Sequence, residues 1–143
     1  MVDVRTMEEI PHSPEFYAIN QIPFSWKEIK VTSSGTEIEF YFIFTSADDR
    51  RMFLEFVGLC FTKDSSQQRF LTLCGVGGTG KSVLIRLVEA AVGRENISNV
   101  SLQELSKRFN TSLLVGKLLN SCADLSAEML DDAAVMKEAI GRR

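Results

Sequence analysis

Phe70-Leu71-Thr72-Leu73-Cys74-Gly75-Val76-Gly77-Gly78-Thr79-Gly80-Lys81-Ser82 is the stretch on which the reading of this chain turns. Its first five residues form a short apolar run of the kind that makes a buried strand. A glycine-rich turn follows at once. Beyond it, Val83, Leu84, Leu87, Val88, Ala91 and Val92 recur at helical spacing, and the pattern stops at Gly93, a residue type that commonly ends helices. Strand, glycine loop and helix in that order predict a unit built around one tight turn of main chain.

The residues of that turn suit a polyphosphate. A nucleoside triphosphate brings about four negative charges that must leave water, and a helix N-terminus preceded by inward-pointing N–H groups offsets them. Glycines let the backbone come close and adopt positive φ. Gly75-Val76-Gly77-Gly78-Thr79-Gly80-Lys81-Ser82 has the spacing of the Walker A phosphate-binding loop. In that pattern Lys81 places a compact ammonium on the β- and γ-phosphates, and Ser82 offers its hydroxyl to Mg²⁺. Two glycines, a lysine and a hydroxyl residue at these offsets arise by chance in roughly one chain of this length in a few hundred. The expected nucleotide-binding set is Gly75 to Ser82 with Val83, the expected ligand is ATP with Mg²⁺, and Lys81 is expected to act on the transferred phosphate as well.

Hydrolysis needs a carboxylate at the end of a neighbouring strand to hold Mg²⁺ or polarise the attacking water. Asp124 is the candidate for both the catalytic and the metal role, because it follows the apolar run Leu118-Leu119-Asn120-Ser121-Cys122-Ala123. The alternative is that Asp124 caps a turn beginning at Leu125. Asn120 is a weaker candidate for a contact to nucleotide. Glu128, Asp131 and Asp132 read as a solvated helix face.

Outward from the loop the chain divides into three parts. Residues 1–35 are an irregular lead-in punctuated by Pro11, Pro14, Pro23 and Gly35, with His12, the single histidine, on its surface. Residues 36–66 are a mainly helical N-terminal segment. Within it Ile38, Phe40, Phe42 and Phe44 alternate like a strand, whereas Thr36 and Glu39 form a capping box that favours a helix. A second cap at Ser46 and Asp49 opens a clearer helix whose apolar face is Met52, Phe53, Phe56, Val57 and Cys60. Residues 67–143 form the nucleotide-binding core, with a third capping box at Ser101 and Glu104 starting a short helix that ends near Phe109, and a last helix over residues 131–140.

Composition sets outer limits. The chain has 143 residues, 45% apolar and 24% charged, as in an ordinary globular protein. It has neither a long apolar run nor a signal-type start, so a cytoplasmic location is expected. Cys60, Cys74 and Cys122 are too few and too scattered for a disulfide framework or a zinc site and read as small buried apolar residues. A net charge of −3 lends no support to a domain that grips nucleic acid over its whole surface, although a ring-shaped motor can confine its cations to a channel.

GTPase base-reading motifs, nucleotide-kinase lids and the transporter Leu-Ser-Gly-Gly signature are missing from the sequence. From about Phe53 to Arg143 the chain resembles the superfamily 3 helicase domain of phage and plasmid primase–helicases. The points of likeness are Phe53-Leu54-Glu55-Phe56-Val57-Gly58-Leu59 with Phe61-Thr62, then Gln67-Gln68-Arg69-Phe70 running into the loop. Further along come Ser98-Asn99-Val100-Ser101-Leu102-Gln103-Glu104-Leu105, Arg108-Phe109, Gly116-Lys117-Leu118-Leu119-Asn120, Asp124-Leu125-Ser126 and Lys137-Glu138-Ala139-Ile140-Gly141.

The resemblance implies an α/β, AAA+-like P-loop NTPase core, incomplete here, that assembles as a homo-hexamer. Such a ring binds ATP between subunits and moves along single-stranded DNA in the replication of a mobile element. By the same resemblance Asp124 is the Walker B acid. The family often has two acids at that place, and Ala123 precedes Asp124 here, which leaves the division between metal binding and water activation open. The family's sensor residue, arginine finger and DNA-contacting loops would follow Arg143, so the expectation is an ATP-hydrolysing helicase motor domain truncated before them. A non-catalytic nucleotide-binding remnant and a P-loop ATPase unrelated to replication are the alternatives.

Overall fold

The computed structural model describes residues 1–3, 5–25, 27, 43–64, 66–105, 107 and 109–122. The chain opens with a small antiparallel hairpin, β1 (Val2–Asp3) and β2 (Glu8–Glu9), in which Val2 faces Glu9 and Asp3 faces Glu8. The lead-in is thus more regular at its start than the turn-rich sequence suggests. A 3₁₀ turn, Pro14–Phe16, is capped by Ser13, whose hydroxyl accepts from the Glu15 N–H, and His12 beside it is exposed.

Helix α1 spans Ala47–Leu59. Ser46 caps it as its position predicts, accepting from the Asp49 N–H at 3.0 Å, while Asp49 turns its carboxylate to Thr45 instead of closing the reciprocal half of the box. Of the expected apolar face, Phe53 and Cys60 are buried and Phe56 and Val57 half-buried, but Met52 is exposed. Phe53 packs on Phe44 with ring centroids 5.1 Å apart, a tilted aromatic pair.

Helix α2 runs Lys81–Val92, starting at Gly80 and stopping at Gly93 as the periodicity predicts. Leu84 and Val92 are buried along one side. Gly93 has φ +89°, and a Cβ there would lie 2.9 Å from Cδ of Pro23. Gly93→Ala therefore meets both backbone strain and a clash with the lead-in. It should lower unfolding stability by about 1–3 kcal/mol, read as a shift in urea midpoint.

A second pair of strands, β3 (Ile97–Ser98) and β4 (Leu119–Asn120), is parallel, with Ile97 beside Leu119 and Ser98 beside Asn120. The crossover between them carries α3 (Leu102–Leu105), capped through Ser101 to the Glu104 N–H, and a 3₁₀ segment, Asn110–Leu114. Helix α3 ends earlier than the sequence suggests, and Phe109 takes φ 74° to redirect the chain. Among the described residues the buried apolar side chains are Phe53, Cys60, Leu84, Val92, Val100 and Leu105.

Two polar side chains stitch these pieces. Asn96, 3% exposed, donates to the carbonyls of Val92 and Gln21 and accepts from Asn20, which also donates to the Gly116 carbonyl. Asn120 donates to the Val100 carbonyl and accepts from the Val100 N–H and the Ser98 hydroxyl. Its amide thus pairs with Val100 as a main-chain amide would, prolonging the contact between the two strands. That use engages the Asn120 amide within the sheet.

The strand expected over residues 70–74 is not formed: the segment has no main-chain hydrogen bonds to the described residues. The strand expected over residues 118–123 is reduced to the pair Leu119–Asn120. One edge of β4 is taken by β3. Residues 118–122 and 67–74 line a common cleft of about 670 Å³, together with side chains of α1 and α2. Among the described residues the run Phe70–Cys74 has no ladder to join that would fix it as a strand. Of the three cysteines read as buried, only Cys60 is; Cys122 is half-buried, and Cys74 is exposed because the segment carrying it stays unpaired. Burial pushes the Cys60 thiol above its ordinary value and keeps it protonated. Among the described residues no helix is long and apolar enough to cross a membrane.

Candidate functional site

The loop from Gly75 to Ser82 hangs between the unpaired segment and α2. Gly78 and Gly80 have φ of 79° and 85°, values that other residue types adopt only with strain, so two of the glycines are dictated by backbone geometry. At Gly77 and Gly78 a Cβ would meet nothing within 4 Å. Their lack of side chains leaves one side of the loop open to an incoming group.

The main-chain N–H groups of Gly77, Gly78, Thr79, Gly80, Lys81 and Ser82 have no hydrogen-bond partner among the described residues. The first internal bonds of the helix are those from Val83 and Leu84, both to the Gly80 carbonyl at 3.0 Å. A run of donors unpaired among the described residues thus lies at the positive end of a twelve-residue helix, the electrostatic setting that favours an anion.

Lys81 lies back over this loop. Its ammonium donates to the carbonyls of Gly75 at 2.8 Å and Val76 at 2.7 Å, and to the Thr79 hydroxyl at 3.2 Å. Thr79 in turn donates to the Val76 carbonyl at 3.0 Å. The carbonyls thus face the cation and leave the amide hydrogens for an anion. Ser82 is exposed, and its hydroxyl has no partner among the described residues. Lys81 and Ser82 also lie on the wall of the cleft that holds Thr72, Ser121 and Cys122.

These features fit the phosphates and the metal that the sequence suggests. Gly75 through Ser82 would surround the polyphosphate and the Ser82 hydroxyl would reach the cation. Val83, the last residue of the expected set, contributes its N–H to the helix and leaves its side chain 63% exposed. Asp124 lies outside the described residues, as do Glu128, Asp131, Asp132 and the segment 137–143. Among the described residues there is no cluster of three or more histidines, cysteines and carboxylates suited to a metal. The contact that sequence reasoning missed is the one Lys81 donates to the Thr79 hydroxyl. Its only signal was a hydroxyl residue between two glycines.

Residues 73–143 match a family of unknown function, DUF5906, and the matched span takes in the loop, α2, β3, α3 and β4. Among curated proteins and among solved structures, none matches the chain.

Proposed function

We propose that this chain binds the triphosphate of ATP, with Mg²⁺, in the Gly75–Ser82 loop and belongs to an ATP-hydrolysing helicase motor of the phage and plasmid replication type. The observation that carries the phosphate reading is the row of amide hydrogens from Gly77 to Ser82, unpaired among the described residues, in the loop whose carbonyls hold the Lys81 ammonium. Donors and cation are held by the start of α2 and by the loop's own carbonyls. Ordering them for an anion therefore costs little when the ligand arrives.

The bound cation supplies charge neutralisation between the β- and γ-phosphates. The chain's own part is to wrap the phosphates in main-chain donors, to set Lys81 against them and to offer Ser82 to the cation. Asp124 is proposed as the acid that completes the metal site. Support for the helicase part comes from the sequence blocks on both sides of the loop and from the absence of GTPase, kinase and transporter signatures. It also implies a homo-hexameric ring and single-stranded DNA as partner.

The test is ATP hydrolysis with and without single-stranded DNA. Hydrolysis that rises at least several-fold on adding the DNA is the expected result. Binding of ATP with no response to DNA would leave a phosphate-binding loop and remove the motor.

A further inference from the structure

We propose that Thr79 is a latch on Lys81: its hydroxyl fills the place of a phosphate oxygen in the ligand-free loop and must be displaced for nucleotide to bind. The inference rests on the phosphate reading above and names a positioning residue within that site. An ammonium has three donors. All three are engaged inside the loop, two by the carbonyls of Gly75 and Val76 and the third by the Thr79 hydroxyl.

These bonds are not equivalent. The carbonyl contacts, at 2.8 and 2.7 Å, are short, as charge-assisted bonds are; the Thr79 contact is 3.2 Å. A phosphate oxygen arriving over the loop needs a lysine N–H, and the longest bond is the one most easily given up. The two carbonyl bonds can persist and keep the ammonium over the loop. Thr79 is held in place for its role by its own bond to the Val76 carbonyl. A Cβ added to Gly75 would lie 3.5 Å from the Thr79 hydroxyl and 3.8 Å from the Lys81 nitrogen, which puts hydroxyl and ammonium together on the same side of the loop.

The latch stabilises the empty state alone, so removing it should tighten binding. Thr79→Val keeps the shape and removes the hydroxyl, while Thr79→Ser keeps the hydroxyl. Thr79 is exposed, and neither change should move the thermal midpoint.

Titration calorimetry of the full chain with Mg-ATP is the measurement. Thr79→Val should bind about three- to tenfold more tightly than wild type, the span set by one net hydrogen bond, and Thr79→Ser should bind like wild type. Equal or weaker binding by Thr79→Val, with wild type binding well, overturns the latch and leaves the phosphate reading intact. A serine variant as tight as the valine variant also overturns it, since the methyl and not the hydroxyl would then matter. No binding by wild type or by Thr79→Val overturns the phosphate reading, and the latch falls with it because releasing the lysine gained nothing.

Discussion

Replacing Lys81 with alanine is expected to weaken Mg-ATP binding by about two orders of magnitude or more while leaving the fold in place. The ammonium would give its third N–H to the phosphates as a charge-assisted bond worth about 1.5–3 kcal/mol and set its charge beside them, and in the variant the carbonyls of Gly75 and Val76 would face the incoming anion uncompensated. In the free protein, by contrast, the three bonds of Lys81 lie at the exposed loop and hold no core element, so unfolding stability should change by no more than about 0.5 kcal/mol. Lys81→Arg should fail almost as badly. A planar, bulkier guanidinium cannot take the place of a compact ammonium between the carbonyls of Gly75 and Val76 while pointing a donor at the phosphates. Calorimetry with Mg-ATP and urea unfolding on the same samples check both halves, and an alanine variant that binds within tenfold of wild type would mean that the loop does not hold phosphate.

The second large effect is expected at Asn96. Asn96→Ala removes the donor to the carbonyls of Val92 and Gln21 and the acceptor for one of the two bonds of the Asn20 amide, at a side chain only 3% exposed. Buried groups left unpaired cost about 1–3 kcal/mol each, less where the site relaxes, so a loss of about 2–4 kcal/mol is expected. That is a large share of the 5–15 kcal/mol on the order of which whole domains are stable. Asn96→Asp is the sharper variant. It has nearly the same shape and can still accept from Asn20, but it turns a carboxylate on two carbonyls. It should be at least as destabilising as alanine. An Asn96→Asp protein with an unchanged urea midpoint would show that the donor side of this amide holds nothing together.

The two positions differ in how far the sequence announces them. The loop was legible because its constraints are local: positive φ at Gly78 and Gly80, a lysine and a hydroxyl residue at fixed offsets, and a helix whose apolar spacing begins at once and ends at Gly93. The caps at Ser46 and Ser101 were legible for the same reason, since each side chain bonds an amide three residues on. Asn96 and Asn120 were not. An asparagine's partners at separations of 20 and 75 residues leave no trace in local pattern, and the bland expectation for that residue type is a turn or a surface. The run Phe70–Cys74 fails in the opposite sense. Its composition suits a strand, but a strand exists only through a neighbour's hydrogen bonds, which no reading of one segment can supply. Met52 carries a related lesson, because helical spacing gives a face but not its width, and the edge of the stripe is left in solvent.

The lead-in's attachment bears on how the molecule can be dissected. A boundary at residue 67 is attractive on sequence grounds, because the glycine loop and everything after it look self-sufficient. Yet Asn20, Gln21 and Pro23 sit against Asn96, Gly116 and Gly93, so a fragment begun at that boundary would carry a dry polar socket with its plug removed. Such a fragment should be poorly soluble when made alone. Supplying residues 1–66, which bring back both the lead-in and α1, as a separate peptide should rescue it.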